Sequence, residues 1–207
     1  MNAHTRRLMI AGAAGAIECA LDLPDAAHPS PRGLAVLAHP HPLFGGTMDN
    51  KVVQTMARAF LALGYQVLRF NFRGVGVSAG VHDEGRGEAD DLLAVVAHQR
   101  QAGQALVLGG FSFGAYVTTL AAARLAEQGA PAERLLLVGP STQRATPAPV
   151  PADSLVIHGE SDDVVPLTAT LDWARPQHLP VIVMPGVGHF FHGQLTQLRE
   201  LIVRSWR

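Results

Sequence analysis

The chain has 207 residues, 48% apolar and 16% charged, which is ample material for a packed core and unlike the composition of a disordered segment. Its formal net charge is -1 and Lys51 is the only lysine among 16 basic residues, so no basic stripe is available to follow a phosphate backbone and no nucleic-acid partner is expected. Cys19 stands alone, which excludes an internal disulfide and a cysteine-built zinc site.

The length fits one domain over residues 1–207. Near its start, Arg6 and Arg7 precede an apolar run from Leu8 to Ile17 that reads in two ways. One is a short, even twin-arginine, export signal; the other is a strand pair, 8–11 and 16–22, turned at residues 12–15. Glu18 interrupts the apolar run and no small-residue cleavage site follows, which favours the strands and a cytoplasmic location. No later apolar run approaches the ~20 residues that span a bilayer, so no membrane partner is expected.

From residue 33 onward, short apolar runs alternate with longer helical patterns. Residues 33–38 read as a strand buried on both faces, and 50–63 as a helix with Val52, Val53, Met56, Ala59, Phe60 and Leu63 on one side. Strand 66–70, helix 86–101, strand 105–108 and the Ala-rich helix 113–128 follow. Strands 134–138 and 154–158, helix 167–174, strand 181–184 and a closing helix near 192–206 complete the chain. This alternation predicts an α/β fold, a mainly parallel, twisted sheet with helices on both faces. Such sheets carry their sites on loops beyond the carboxyl ends of the strands.

Gly110-Phe111-Ser112-Phe113-Gly114 falls between strand 105–108 and helix 113–128. In a strand-to-helix elbow the backbone strain projects the serine Oγ from the sheet, and the glycines remove Cβ atoms that would collide. A serine helix cap in a glycine-rich turn is the alternative. A serine hydroxyl becomes a useful nucleophile when a histidine takes its proton and an acid fixes that histidine's tautomer. Strand 154–158 leads into His158-Gly159-Glu160-Ser161-Asp162-Asp163-Val164-Val165-Pro166, and strand 181–184 into Pro185-Gly186-Val187-Gly188-His189-Phe190-Phe191-His192.

With these motifs the chain resembles the α/β-hydrolase superfamily, whose acid loop often reads H-G-x-x-D-x-x-V-P and whose histidine loop often reads G-x-x-H. The resemblance implies Ser112 as nucleophile, Asp162 as acid and His189 as base, with Asp163 and His192 as their nearest alternatives. It also assigns one oxyanion-hole N–H to Phe113. The second donor belongs to the loop His39-Pro40-His41-Pro42-Leu43-Phe44-Gly45-Gly46. There the prolines lack an N–H, leaving His41 and Leu43 nearest; hydrolases of this type commonly use the position of His41. A metal pair at His39 and His41 is the competing reading, but no third ligand is evident, and no metal or cofactor is expected. The stretches HPHPLFGGTMDNKVV, FNFRGVGVSAG, GFSFG and PGVGHFFHG together resemble a family of small, lidless bacterial α/β hydrolases. Gly74, Gly76 and Gly80 do not form a nucleotide-binding pattern.

Only 15 residues separate strands 134–138 and 154–158, where many hydrolases insert a helical cap; room remains for the Pro-rich stretch 140–151 and little else. The expectation is an open, capless site for a small-molecule ester with a short acyl group, in a monomer or homodimer. Phe44, Phe111, Phe113 and Phe190 are candidates to line its pocket, with core packing the alternative for each. The resemblance favours a serine carboxylesterase working through an acyl-enzyme. Thioester, lactone or amide hydrolysis and acyl transfer share the same chemistry, and a non-catalytic binding protein could use the same scaffold.

Overall fold

The computed structural model describes residues 5–25, 28, 30–143 and 145–206. Strands β1 (Arg6–Gly12) and β2 (Gly15–Asp22) pair as an antiparallel hairpin, so the twin arginines lie in an edge strand. Arg7 binds Asp49 at 3.0 Å, tying that edge to the loop after the third strand. The remaining strands are β3 (Leu34–Ala38), β4 (Gln66–Phe70), β5 (Leu106–Phe111), β6 (Arg134–Val138), β7 (Leu155–Gly159) and β8 (Val181–Met184). They form one eight-stranded sheet in the order β1-β2-β4-β3-β5-β6-β7-β8, parallel from β4 to β8.

Strand alternation divides the core. Leu34, Val36 and Ala38 face α2 (Arg86–Gln99) and α3 (Phe113–Glu127), while Ala35 and Leu37 face α1 (Lys51–Ala62) and α5 (Leu195–Ser205). Helix α4 (Leu167–Ala174) joins the first layer through Ala174. Asn50 starts α1 by accepting the Val52 N–H at 2.9 Å, satisfying one of the donors that every helix start leaves unpaired.

Two boundaries differ from the sequence expectation by three residues, more than any other. Strand β5 continues to Phe111, through Gly109 and Gly110, which hydrophobic patterning does not assign to a strand. A Cβ on Gly109 would lie 2.9 Å from the Leu37 side chain, so glycine there leaves room for that neighbouring side chain in the core. Helix α5 begins at Leu195 because Phe191 adopts φ 53° and closes a turn with its N–H on the Gly188 carbonyl at 3.1 Å. Residues 139–153, Arg144 aside, hold neither helix nor strand, so no cap covers the carboxyl edge of the sheet.

Candidate active site

Ser112 sits where β5 becomes α3, with φ 56° and ψ -118°. A non-glycine residue at positive φ is strained, and surrounding packing must hold it there. The Ser112 N–H donates to the Val138 carbonyl at 2.9 Å, and its own carbonyl accepts from Ala115 and Tyr116 in α3 and from Ser141. A Cβ on Gly110 would lie 2.3 Å from Gly114, and one on Gly114 would lie 2.4 Å from the Ala38 carbonyl oxygen. Helix, turn and strand approach this closely only because both flanking residues are glycines.

The structure brings Ser112, His189 and Asp162 into one hydrogen-bonded line from three separate strand ends. His189 Nε2 lies 3.0 Å from Ser112 Oγ, and His189 Nδ1 lies 2.6 Å from Asp162 Oδ2. All three residues are buried, whereas the neighbouring alternatives are not. Asp163 is exposed, and His192 is exposed and stacked on Phe190. The other carboxylate oxygen of Asp162 accepts the Val164 and Val165 N–H groups at 2.9 and 2.7 Å. Burial favours the protonated acid, but the bonds from His189 and from these amides outweigh it and hold Asp162 below the ordinary carboxylate range.

His41 and Phe113 both line the cleft beside Ser112. Downstream of His41, the loop folds on itself. Leu43 N–H donates to His41 Nδ1 at 3.3 Å, Phe44 and Gly46 donate to the His41 carbonyl, and Gly45 donates to that of Pro42. A Cβ at Gly46 would lie 2.0 Å from the Pro40 oxygen, so only glycine permits this turn. His39 anchors the loop from below, fully buried. Its Nδ1–H donates to the Pro40 carbonyl at 2.6 Å, and its Nε2 accepts the Phe72 N–H at 3.0 Å. Burial drives its pKa down from 6.5 to about 4 against the opposing bond to Pro40, so the ring is neutral. With both nitrogens engaged in holding the backbone, His39 has no lone pair to offer a metal beside His41. Among the described residues, no group of three or more His, Cys, Asp and Glu side chains is placed to hold a metal.

The cleft encloses about 430 Å³. Phe44, Phe113, Val164 and Phe190 supply its apolar lining, and Asn50, Ser141 and Gln143 its neutral polar groups. No Asp, Glu, Lys or Arg is among the described residues that line it. Phe111 corrects the sequence expectation: it is fully buried and packs beneath His189, ring centroids 4.9 Å apart, outside the cleft. Its place on β5 turns the ring to the α1 and α5 side, as alternation dictates.

Sequence reasoning also missed His82, whose ring packs 4.8 Å from His41 and 5.4 Å from Phe113. Glu88, fully buried at the start of α2, holds His82 Nδ1 at 2.8 Å and accepts the Asp83 and Gly85 N–H groups. Glu88 caps the start of α2 by accepting the Gly85 N–H, but with glycine at the cap position the sequence carries no capping-box signature, and the contact with the site loops leaves no local pattern.

No protein-family profile matches the chain. It is 39% identical to XC6422 of Xanthomonas campestris, an α/β serine hydrolase without a lid; the match covers 99% of this chain and 94% of that one, with a TM-score of 0.90. The chain belongs to the lidless α/β serine hydrolases. An α/β serine hydrolase homologue from Coxiella burnetii is 38% identical, over 98% and 97% of the two chains, with a TM-score of 0.82. An uncharacterized protein of Rickettsia prowazekii is 30% identical over 185 residues, which is 82% of this chain and 76% of that one. As a member of this family the protein is a hydrolase, and its uncapped sheet edge matches the missing lid of its Xanthomonas relative. Among the described residues, no helix is long and apolar enough to cross a membrane.

Proposed function

We propose that the protein is a carboxylesterase acting on short-acyl, uncharged esters through an acyl-enzyme on Ser112. The observation that carries this reading is the buried Ser112–His189–Asp162 line, 3.0 and 2.6 Å between partners, at the cleft. In this reading His189 takes the Ser112 proton as Oγ attacks the ester carbonyl, and Asp162 holds the tautomer that leaves Nε2 ready to accept it. The N–H groups of His41 and Phe113 stabilise the oxyanion, helped by the positive end of α3. The protonated His189 then gives its proton to the leaving alcohol. Water, activated by the same imidazole, cleaves the acyl-serine ester and restores the free hydroxyl.

The neutral lining supports uncharged substrates, since a carboxylate or phosphate entering the cleft meets no lining arginine or lysine among the described residues. The missing cap supports short acyl groups, because only an enclosed channel rewards each added methylene. The test is labelling with a fluorophosphonate probe followed by assay on p-nitrophenyl esters. Ser112→Ala should abolish labelling and lower kcat by roughly 10³-fold or more with the fold unchanged. Wild-type labelling in that variant would refute the assignment.

A further inference from the structure

His158, on β7, is fully buried beneath the candidate acid and has no part in the chemistry described above. Its Nε2 lies 2.9 Å from the Val165 carbonyl and 3.4 Å from Asp162 Oδ2, the same oxygen that binds His189. Its Nδ1 lies 3.2 Å from Thr170 Oγ1 on α4. The partners fix the tautomer. A carbonyl can only accept, so Nε2 carries the hydrogen, and Thr170 must donate to the lone pair on Nδ1. Val165 closes a ring of contacts, because its N–H holds Asp162 Oδ1 while its carbonyl is held by His158. The carboxylate is therefore clamped on both oxygens, with the His158 N–H dipole on the side facing His189.

We propose that His158 is a positioning residue, which orients Asp162 and moderates how tightly that carboxylate holds the proton of His189. The inference rests on the reading of Asp162 as the acid. The ionisable groups that face His158 are Asp162 and His189, and burial lowers its own pKa, so it stays neutral where the enzyme works. A neutral N–H dipole draws negative potential away from Oδ2 without competing for it as a cation. Removing it should leave a more basic carboxylate and a more firmly protonated His189.

Kinetics of His158→Leu and His158→Gln across pH test this. His158→Leu should lower kcat roughly tenfold or more with KM within about twofold, because displacement of the acid disturbs the reacting geometry and not substrate binding. The acid limb of its kcat/KM profile should rise by about half a pH unit, the sign expected when an N–H dipole beside a carboxylate is lost. His158→Gln, whose amide N–H can reach the same two oxygens, should restore most of both. Should the leucine variant fail to fold, His158→Met carries the test: a flexible apolar chain has no N–H to set beside Asp162 and should move the limb the same way, and an unmoved limb overturns the proposal. Glutamine performing no better than leucine also overturns it, as does a kcat loss without a limb shift. Asp162→Asn, measured in parallel, separates the two readings: full activity there would remove Asp162 as the acid, whatever His158 does.

Discussion

Lowering the pH should loosen the fold through His39 before it touches the carboxylates. In the folded chain this ring gains a proton only near pH 4, whereas in the unfolded chain it does so near 6.5. Between those values the unfolded state binds more protons, so stability falls as pH drops from about 6.5 and levels off below about 4. Each tenfold difference in proton affinity is worth about 1.4 kcal/mol, so the full window amounts to about 3 kcal/mol and a change from pH 7 to 4.5 to about 2–3 kcal/mol. For a chain of this length that is a fall of about 5–10 °C in Tm. The physical event is loss of the Phe72 N–H···Nε2 bond, since a protonated ring cannot accept it. Urea unfolding at pH 7 and 4.5 for wild type and His39→Gln isolates the contribution. The variant is less stable at pH 7, but its stability should change less between the two pH values, by about 2–3 kcal/mol. His158, whose pKa burial also lowers, acts equally in both proteins and cancels from the comparison. Equal pH dependence in the two proteins would refute the reasoning.

Asp162→Asn should cost at least roughly a hundredfold more in kcat/KM than Asp163→Asn, because only the first removes the partner of His189 Nδ1; the reverse ranking in ester kinetics would move the role along the chain. In a p-nitrophenyl ester series, kcat/KM should peak at about two to six acyl carbons, whereas a value still climbing at twelve would reveal an enclosed channel worth ~0.8 kcal/mol per methylene. Phe111→Ala should destabilise the fold by about 3–5 kcal/mol in chemical denaturation, and Phe44→Ala, at the open cleft, should leave stability within about 0.5 kcal/mol while raising KM.

The strands and helices were legible because each carries its own period: continuous apolar runs for the buried strands, and helical spacing such as Val52, Val53, Met56, Phe60 in α1. Ser112, Asp162 and His189 were legible as three residues each following a strand, and the parallel sheet brings such positions to one edge. Other features depend on pairings between distant segments, which local pattern does not carry. Phe111 reads equally as pocket or core until β5 is known to run through two glycines, after which alternation decides for the core. Phe191 lies in the left-handed region, with its side chain fully buried between the sheet and α5; a phenylalanine there gives no turn signal, so the closing helix was expected about three residues early. The contacts of His158 with Val165 and Thr170 likewise exist only once α4 has folded back on β7.

The same pairings bury the anchors of the loops that carry His41, Asp162 and His189 and leave the mouth of the cleft exposed. The loop carrying His41 is pinned by His39, the acid loop by His158 through Val165, and the histidine loop by Phe191, each of these anchors being fully buried. Opposite them, Phe44 is 73% exposed and Phe190 45% exposed. A buried anchor costs several kcal/mol to remove, whereas an exposed ring is replaced at little cost to the fold. Substitutions at the cleft mouth should therefore change which substrate the proposed esterase accepts while the spacing of Ser112, His189 and Asp162 stays the same.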